Sequence, residues 1–164
     1  MKIARFVFIL VVACLLSSTA VADVVEDDEF GVAVTAPDGW EVDTDDDKSV
    51  ASFKHSGSKS HIQVIGTQLM NAEVSDVFFD TFHTTLSEQN FEVAEEEERS
   101  IGEFEGLFTT YEYTHSDVTL DVTVFEFLRD DTAWLAIGYM HDEERDEHQG
   151  DYESVIENLS FESD

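Results

Sequence analysis

After Phe30 the apolar positions of the chain change period three times, and each change marks a new kind of element. The segment FGVAVTAP reads as a first strand stopped by Pro37, and Pro37-Asp38-Gly39 is turn chemistry that delivers Trp40 toward a core. SVASFKH and HIQVIGTQL form a hairpin across the short polar loop SGSKS, which contains Gly57. Residues 72–89 then switch to helical spacing. Val74, Val77, Phe78, Thr81, Phe82 and Leu86 fall on one stripe that should be buried, Asp76, Asp80 and Glu88 fall outside it, and Asn71 is placed to cap the start.

The period returns to two for four more strands. NFEVAEE comes first, and GEFEGLFTTYEYTH follows with Leu107, Thr109, Tyr111 and Tyr113 on one face. DVTLDVTVFEFL alternates strictly, which predicts Val118, Leu120, Val122 and Val124 inward and Thr119, Asp121 and Thr123 outward. Arg129-Asp130-Asp131-Thr132 is a tight reversal into AWLAIGYM. A closing helix carries Tyr152, Val155, Ile156 and Leu159 at helical spacing. Hairpins dominate and helices are too few to cross over each strand pair. The pattern therefore predicts an α+β fold: a mainly antiparallel sheet of about six to seven strands packed with two helices.

The segment before Phe30 is of another kind. Residues 1–22 carry Lys2 and Arg5, an apolar run to Leu16, and small residues ending in Ala20-Val21-Ala22. That is the pattern of a secretory signal peptide with an A-x-A cleavage site, too short for a membrane span. The alternative takes Val11-Val12-Ala13-Cys14 as a lipobox and Cys14 as a lipidated anchor; the apolar run continuing through Leu15 and Leu16 speaks for the first reading. Residues 23–29, DVVEDDE, read as a disordered acidic lead-in, and residues 30–164 as a single globular domain. Cys14 is the only cysteine, so a processed chain has no disulfide although its compartment, periplasmic or extracellular, permits one.

Charge narrows the function classes. Eight Lys and Arg face 38 Asp and Glu, and removal of Lys2 and Arg5 takes the formal net charge from −30 to −32. No basic patch exists to neutralise phosphates, which excludes nucleic acid as a partner. Thirteen Phe and 42% hydrophobic residues exclude a disordered acidic tail. The acids run along nearly every segment, which favours solvation in a saline, halophilic setting; cation loading and docking on a basic partner are the alternatives.

Candidate chemistry is sparse. Asp43, Asp45 and Asp47 have the spacing of the first three ligands of an EF-hand loop, but Lys48 stands at the sixth position, where glycine belongs, and Lys54 at the twelfth, where glutamate belongs. The segment reads as a solvated strand connection, with a non-EF calcium site as the alternative. His55 and His61 flank the SGSKS loop and, in a regular hairpin, stand opposite one another within reach of a shared transition metal, a poor site without a third ligand. The acids at 95–98 read as the end of a strand, and those at 142–147 as an exposed lead-in to the last helix. No G-x-S-x-G, H-E-x-x-H or glycine-rich phosphate loop occurs, so no catalytic residue is assigned and an enzyme is not expected.

The early strand leading into APDGW, the hairpin, the amphipathic helix, the long meander and the terminal helix ending in ENLSFE together resemble the PsbP-like superfamily over nearly all of residues 30–162. That group includes exported bacterial proteins of the DcrB type, photosystem PsbP subunits and a Ran-binding nuclear import factor. The matching positions are Pro37, Gly39, Trp40, Ser160 and Phe161, all structural in kind. The resemblance implies the fold and an accessory or binding role, and it carries over no functional residue. The expected function is a non-enzymatic exported domain that docks on a protein or envelope component, its oligomeric state open. The alternative is a carrier of a small apolar ligand in a cleft between sheet and helix, near Phe79, Phe82 or Trp134.

Overall fold

A computed structural model of the chain describes residues 22–116 and 118–162. The leader expected over residues 1–22, with Cys14, lies outside them except for Ala22. The elements in order are β1 (Val24–Asp27), β2 (Val32–Thr35), β3 (Trp40–Val42), β4 (Ala51–His55), β5 (His61–Gln68), α1 (Ser75–Glu88), β6 (Glu92–Ile101), β7 (Phe104–His115), β8 (Val118–Arg129), β9 (Thr132–His141), α2 (Asp142–Glu157) and β10 (Ser160–Phe161). Seven strands form one antiparallel sheet in the order β3-β4-β5-β9-β8-β7-β6. The expected α+β architecture is present, and beside the large sheet lies a three-stranded one, β1-β2-β10, which the sequence pattern did not suggest.

Both faces of the large sheet are covered, and β8 shows how. Phe125 and Phe127 point to one face, where they meet Trp134, Phe104, Phe108, Tyr152 and Ile156 together with Val32 and Val34 of the small sheet. Val122 and Val124 point to the other, where they join Tyr111, Leu135 and Ile137 beneath the half-buried Phe78, Phe79, Phe82 and Leu86 of α1. Each large apolar side chain removed from water in this way contributes roughly 1.5–3 kcal/mol. Asp121 and Thr123, expected outward, are therefore buried: their side of the strand faces α2 rather than water. Asp121 has Arg145 of α2 at 3.8 Å as its counter-charge.

Three further expectations change. Within residues 23–29, read as a disordered lead-in, β1 forms by pairing Val24 and Val25 with Thr35 and Val34, so two apolar residues suffice once a partner strand is in place. The α1 stripe is shallower than its spacing predicts: no residue of α1 is fully buried and Val77 is 66% exposed, because the helix stands off the sheet on long aromatic side chains. The acids at 142–147 are not a lead-in but the first turns of α2, where Asp142, Glu143 and Glu144 sit at the positive end of the helix. Asn71 caps as expected, its side chain accepting the N–H of Glu73 at the 3-10 turn Ala72–Val74.

The turn before β3 demands its glycine, since Gly39 has φ +85° while the Trp40 N–H donates to the Pro37 carbonyl. That turn buries Trp40 against α2. Among the described residues no helix is long and apolar enough to cross a membrane.

Candidate functional site

The acidic loop between β3 and β4 does not gather Asp43, Asp45 and Asp47. Asp43 is turned inward, where Lys54 Nζ lies 2.8 Å from Oδ2 and His61 Nε2 3.7 Å away, and the lysine holds its carboxyl below the usual range. Asp45 and Asp47 are exposed. The residue that organises the loop is Asp46, which accepts from Ser49 Oγ at 2.6 Å, Lys48 N at 3.0 Å and Gln63 Nε2 at 2.6 Å. These bonds, that from Ser49 foremost, bring its carboxyl down to about 2. A depressed carboxylate stabilises the fold above its unfolded pKa near 3.8, and the contribution fades as pH falls through the folded value. Asp46→Asn is thus expected to cost about 1–2 kcal/mol at pH 7 and almost nothing at pH 2. Urea melts at the two pH values check this, and an equal loss at both would contradict it.

His55 and His61 do not face each other. The β4–β5 register pairs His61 with Lys54, which sends the two imidazoles to opposite faces of the sheet. His61 contacts Ser52 Oγ at 2.6 Å and stacks on Tyr139, and burial pushes its imidazole below the usual value. His55 instead meets His148 of α2, ring centroids 4.3 Å apart, with Trp40 5.3 Å from the first ring and 5.4 Å from the second. Among the described residues no three His, Cys, Asp or Glu side chains converge as metal ligands.

The cluster around His148 was not legible in sequence beyond the i, i+3 spacing of His148 and Asp151. Ser58 Oγ lies 3.0 Å from His55 Nδ1 and 3.3 Å from His148 Nε2, His148 Nδ1 lies 3.4 Å from Asp151 Oδ2, and Trp40 Nε1 donates to the same carboxylate oxygen at 3.0 Å. The order serine, histidine, aspartate has the outline of a nucleophile with its base. Yet Ser58 Oγ is shared between two imidazoles and also accepts the Ser60 N–H, and His148 is only 2% exposed. These contacts clasp the β4–β5 loop to α2, and Ser60 Oγ donating to Glu144 at 2.9 Å adds to the clasp.

A second buried polar group lies beneath α1. His83 Nε2 stands 2.9 Å from Glu126 Oε2, an ion pair when the imidazole is protonated. His83 Nδ1 contacts the Tyr111 hydroxyl. The Glu126 side chain is 7% exposed and that of His83 23%. Glu126 beside it, reinforced by the more distant charges of Glu96 and Asp80, raises the His83 pKa against the opposing effect of burial. Burial pushes the Tyr111 phenol up. Since α1 has no fully buried side chain of its own, this pair is its main polar attachment to the sheet.

The outer surface completes the picture. β6 is an edge of the large sheet, with eight of its ten residues exposed. On its α2 side an open depression of about 360 Å³ has Glu95, Glu97, Asp146 and Glu153 interleaved with Arg99 and Arg145. Another of about 700 Å³ is rimmed by Glu98 and Glu105. Trp134, Phe30 and Phe161 line a cleft of about 430 Å³ whose edge carries Asp28, Glu29, Asp130 and Glu162 together with Arg129.

No family model matches the sequence, and no curated protein matches it either. The fold does have solved relatives. The solution structure of cyanobacterial PsbP (CyanoP) from Synechocystis sp. PCC 6803 is 12% identical, with a TM-score of 0.63 over 88% of this chain and 96% of that one. A crystal structure from Bacteroides thetaiotaomicron VPI-5482 is 12% identical, with a TM-score of 0.59 over 82% of this chain and 46% of that one. LpqN, described as involved in cell envelope biogenesis of Mycobacterium tuberculosis, is 11% identical, with a TM-score of 0.57 over 86% of this chain and 90% of that one. At these identities the likeness is one of fold, and the chain carries the PsbP-like fold.

Proposed function

We propose that the protein is an exported, non-enzymatic accessory domain, periplasmic or extracellular, that docks on a protein or envelope component through its acidic surface. The observation that carries this reading is the shape and charge of the surface around β6. Its depressions are open, with Glu95, Glu97, Glu98 and Glu105 outnumbering Arg99 and Arg145 along their rims, a form suited to another macromolecule rather than to enclosing a small substrate. The PsbP-like fold supports it, since LpqN, one of the fold's solved examples, is described as involved in cell envelope biogenesis. A photo-crosslinking residue placed at Glu98 in cells is expected to trap one discrete partner that the same group at exposed Glu41 does not trap. The same adducts from both positions, or none from either, would contradict the reading.

The acidity also fits a saline medium. A formal charge of −30 repels itself over a screening length of about 10 Å at 0.1 M salt and about 3 Å at 1 M. The melting temperature is expected to climb by several degrees between those two sodium chloride concentrations, and a flat response would count against salt adaptation.

A second reading, carriage of a small apolar ligand between α1 and the sheet, is favoured by the shallow seating of Phe78, Phe79, Phe82 and Leu86 over an apolar sheet face. Saturable binding of a fluorescent fatty-acyl probe that is lost on Phe79→Ser with Phe82→Ser would support it. Absence of saturable binding would remove it.

A further inference from the structure

We propose that β6 accepts a basic, extended segment of the partner protein as an added strand of the large sheet. This inference rests on the docking reading above and gives it a place and a chemistry. β6 is ten residues long, whereas the opposite edge of the sheet, β3, has three, and the outer strands of the small sheet have four and two. Its inner side is paired with β7 from Glu92 to Ile101 with a bulge at Ala94, and from Glu95 onward, among the described residues, the backbone groups on its outer side have no strand to bond. Edges of that length are templates for pairing and are kept in check by charge.

Here the charge also selects. Residues 95–98 are four consecutive glutamates. Strand geometry alternates them across the sheet, Glu95 and Glu97 toward α2 and Glu96 and Glu98 toward α1. A second copy of this edge, paired over residues 95–98, would set glutamate against glutamate there, so self-pairing in that register is penalised. A strand bearing Lys or Arg meets a counter-charge on both faces instead. On the α2 face Arg99 lies 3.0 Å from Glu153 and 3.8 Å from Glu97, and Arg145 lies 3.3 Å from Glu95. An incoming basic side chain exchanges with these partly exposed pairs there, while Glu96 and Glu98 meet it on the other face. Strand addition of this kind takes its affinity from main-chain hydrogen bonds and its specificity from alternate side chains. In molar salt, where the charge attraction is screened, the hydrogen-bonded ladder remains.

The test is a titration of the isotopically labelled protein with an eight-residue peptide alternating Lys and Thr, followed by amide NMR and hydrogen exchange. A matched peptide of equal charge, N-methylated at alternate residues, cannot complete the ladder. The expected result is saturable binding with about tenfold slowed exchange of alternate β6 amides, weakened roughly tenfold by N-methylation and by Glu97→Gln. Equal binding of the two peptides, or perturbation without slowed β6 exchange, would overturn strand addition while leaving an acidic docking surface intact. No binding of either peptide even at low ionic strength would overturn the assignment of this edge, and the crosslinking at Glu98 would then judge the docking reading separately. The N-methyl comparison needs no variant, so it stands even if Glu97→Gln perturbs folding.

Discussion

Replacing His83 by alanine is expected to destabilise the domain by about 2–3 kcal/mol at pH 6 and, in a scan from pH 6 to 9, to weaken the fall in stability that sets in above the unfolded value near 6.5. Truncating one partner of a buried ion pair strands the other charge in a medium that solvates it badly. Glu126, at 7% side-chain exposure, would be that charge; the partial exposure of His83 moderates the loss. The sign with pH follows from the raised His83 pKa. A group that binds its proton more tightly when folded contributes fully below its unfolded value near 6.5, and the contribution fades as pH rises through the folded value. The groups facing the imidazole, Glu126 from β8, Glu96 from β6, Asp80 from α1 itself and Tyr111 from β7, are acids or a neutral phenol, so every charge among them favours the protonated ring. Thermal melts of the parent and variant at half-unit steps check this. A parent whose melting temperature runs parallel to the variant's across that window would contradict the pair's role.

Trp134→Ala should produce the other large effect, a loss of roughly 3–5 kcal/mol and of about 10–20 °C in melting temperature. Trp134 is 2% exposed and packs edge-on against Phe30 at 5.5 Å and Phe161 at 5.1 Å, while stacking on Phe127 at 6.2 Å between ring centroids. Phe161 belongs to β10 and Phe30 to the β1–β2 connection, so the indole joins the small sheet to the large one. Its removal leaves a cavity at that junction, and amide exchange in β1, β2 and β10 should accelerate more than in β7 or β8. Trp134→Phe should cost far less, because the indole Nε1 is buried without a partner among the described residues and its loss offsets part of the lost packing. Uniform acceleration across both sheets would show that the indole does not join them.

The two cases also show what the sequence made visible. Long elements with a sustained period were legible: the β4–β5 hairpin, the helix at 75–88 and the four-strand meander fall where the pattern puts them, and the closing helix is present but starts earlier, at Asp142, and ends at Glu157, before Leu159. Short strands were not. β1, β3 and β10 span four, three and two residues, too few for a period to emerge, and exist because a neighbouring strand offers a ladder. The inward and outward positions of β8 were half right, since Phe125 and Phe127 occupy the phase assigned to solvent and signal a second covered face. Of the site chemistry, the acidic edge was readable as a charge run, whereas His83 with Glu126 and His55 with His148 lie far apart in sequence and meet only through the sheet order. The expected opposition of His55 and His61 failed for a one-residue shift in register, which spacing alone does not set.

The central claim, that this is a docking domain acting through the β6 surface, is tested most directly by affinity capture. The protein and a variant carrying lysine at positions 95–98 are immobilised, challenged with envelope extract and washed in molar salt. One partner retained in near-stoichiometric amount by the parent and lost by the variant is the expected result. A partner held equally by both, or nothing retained by the parent, would contradict it.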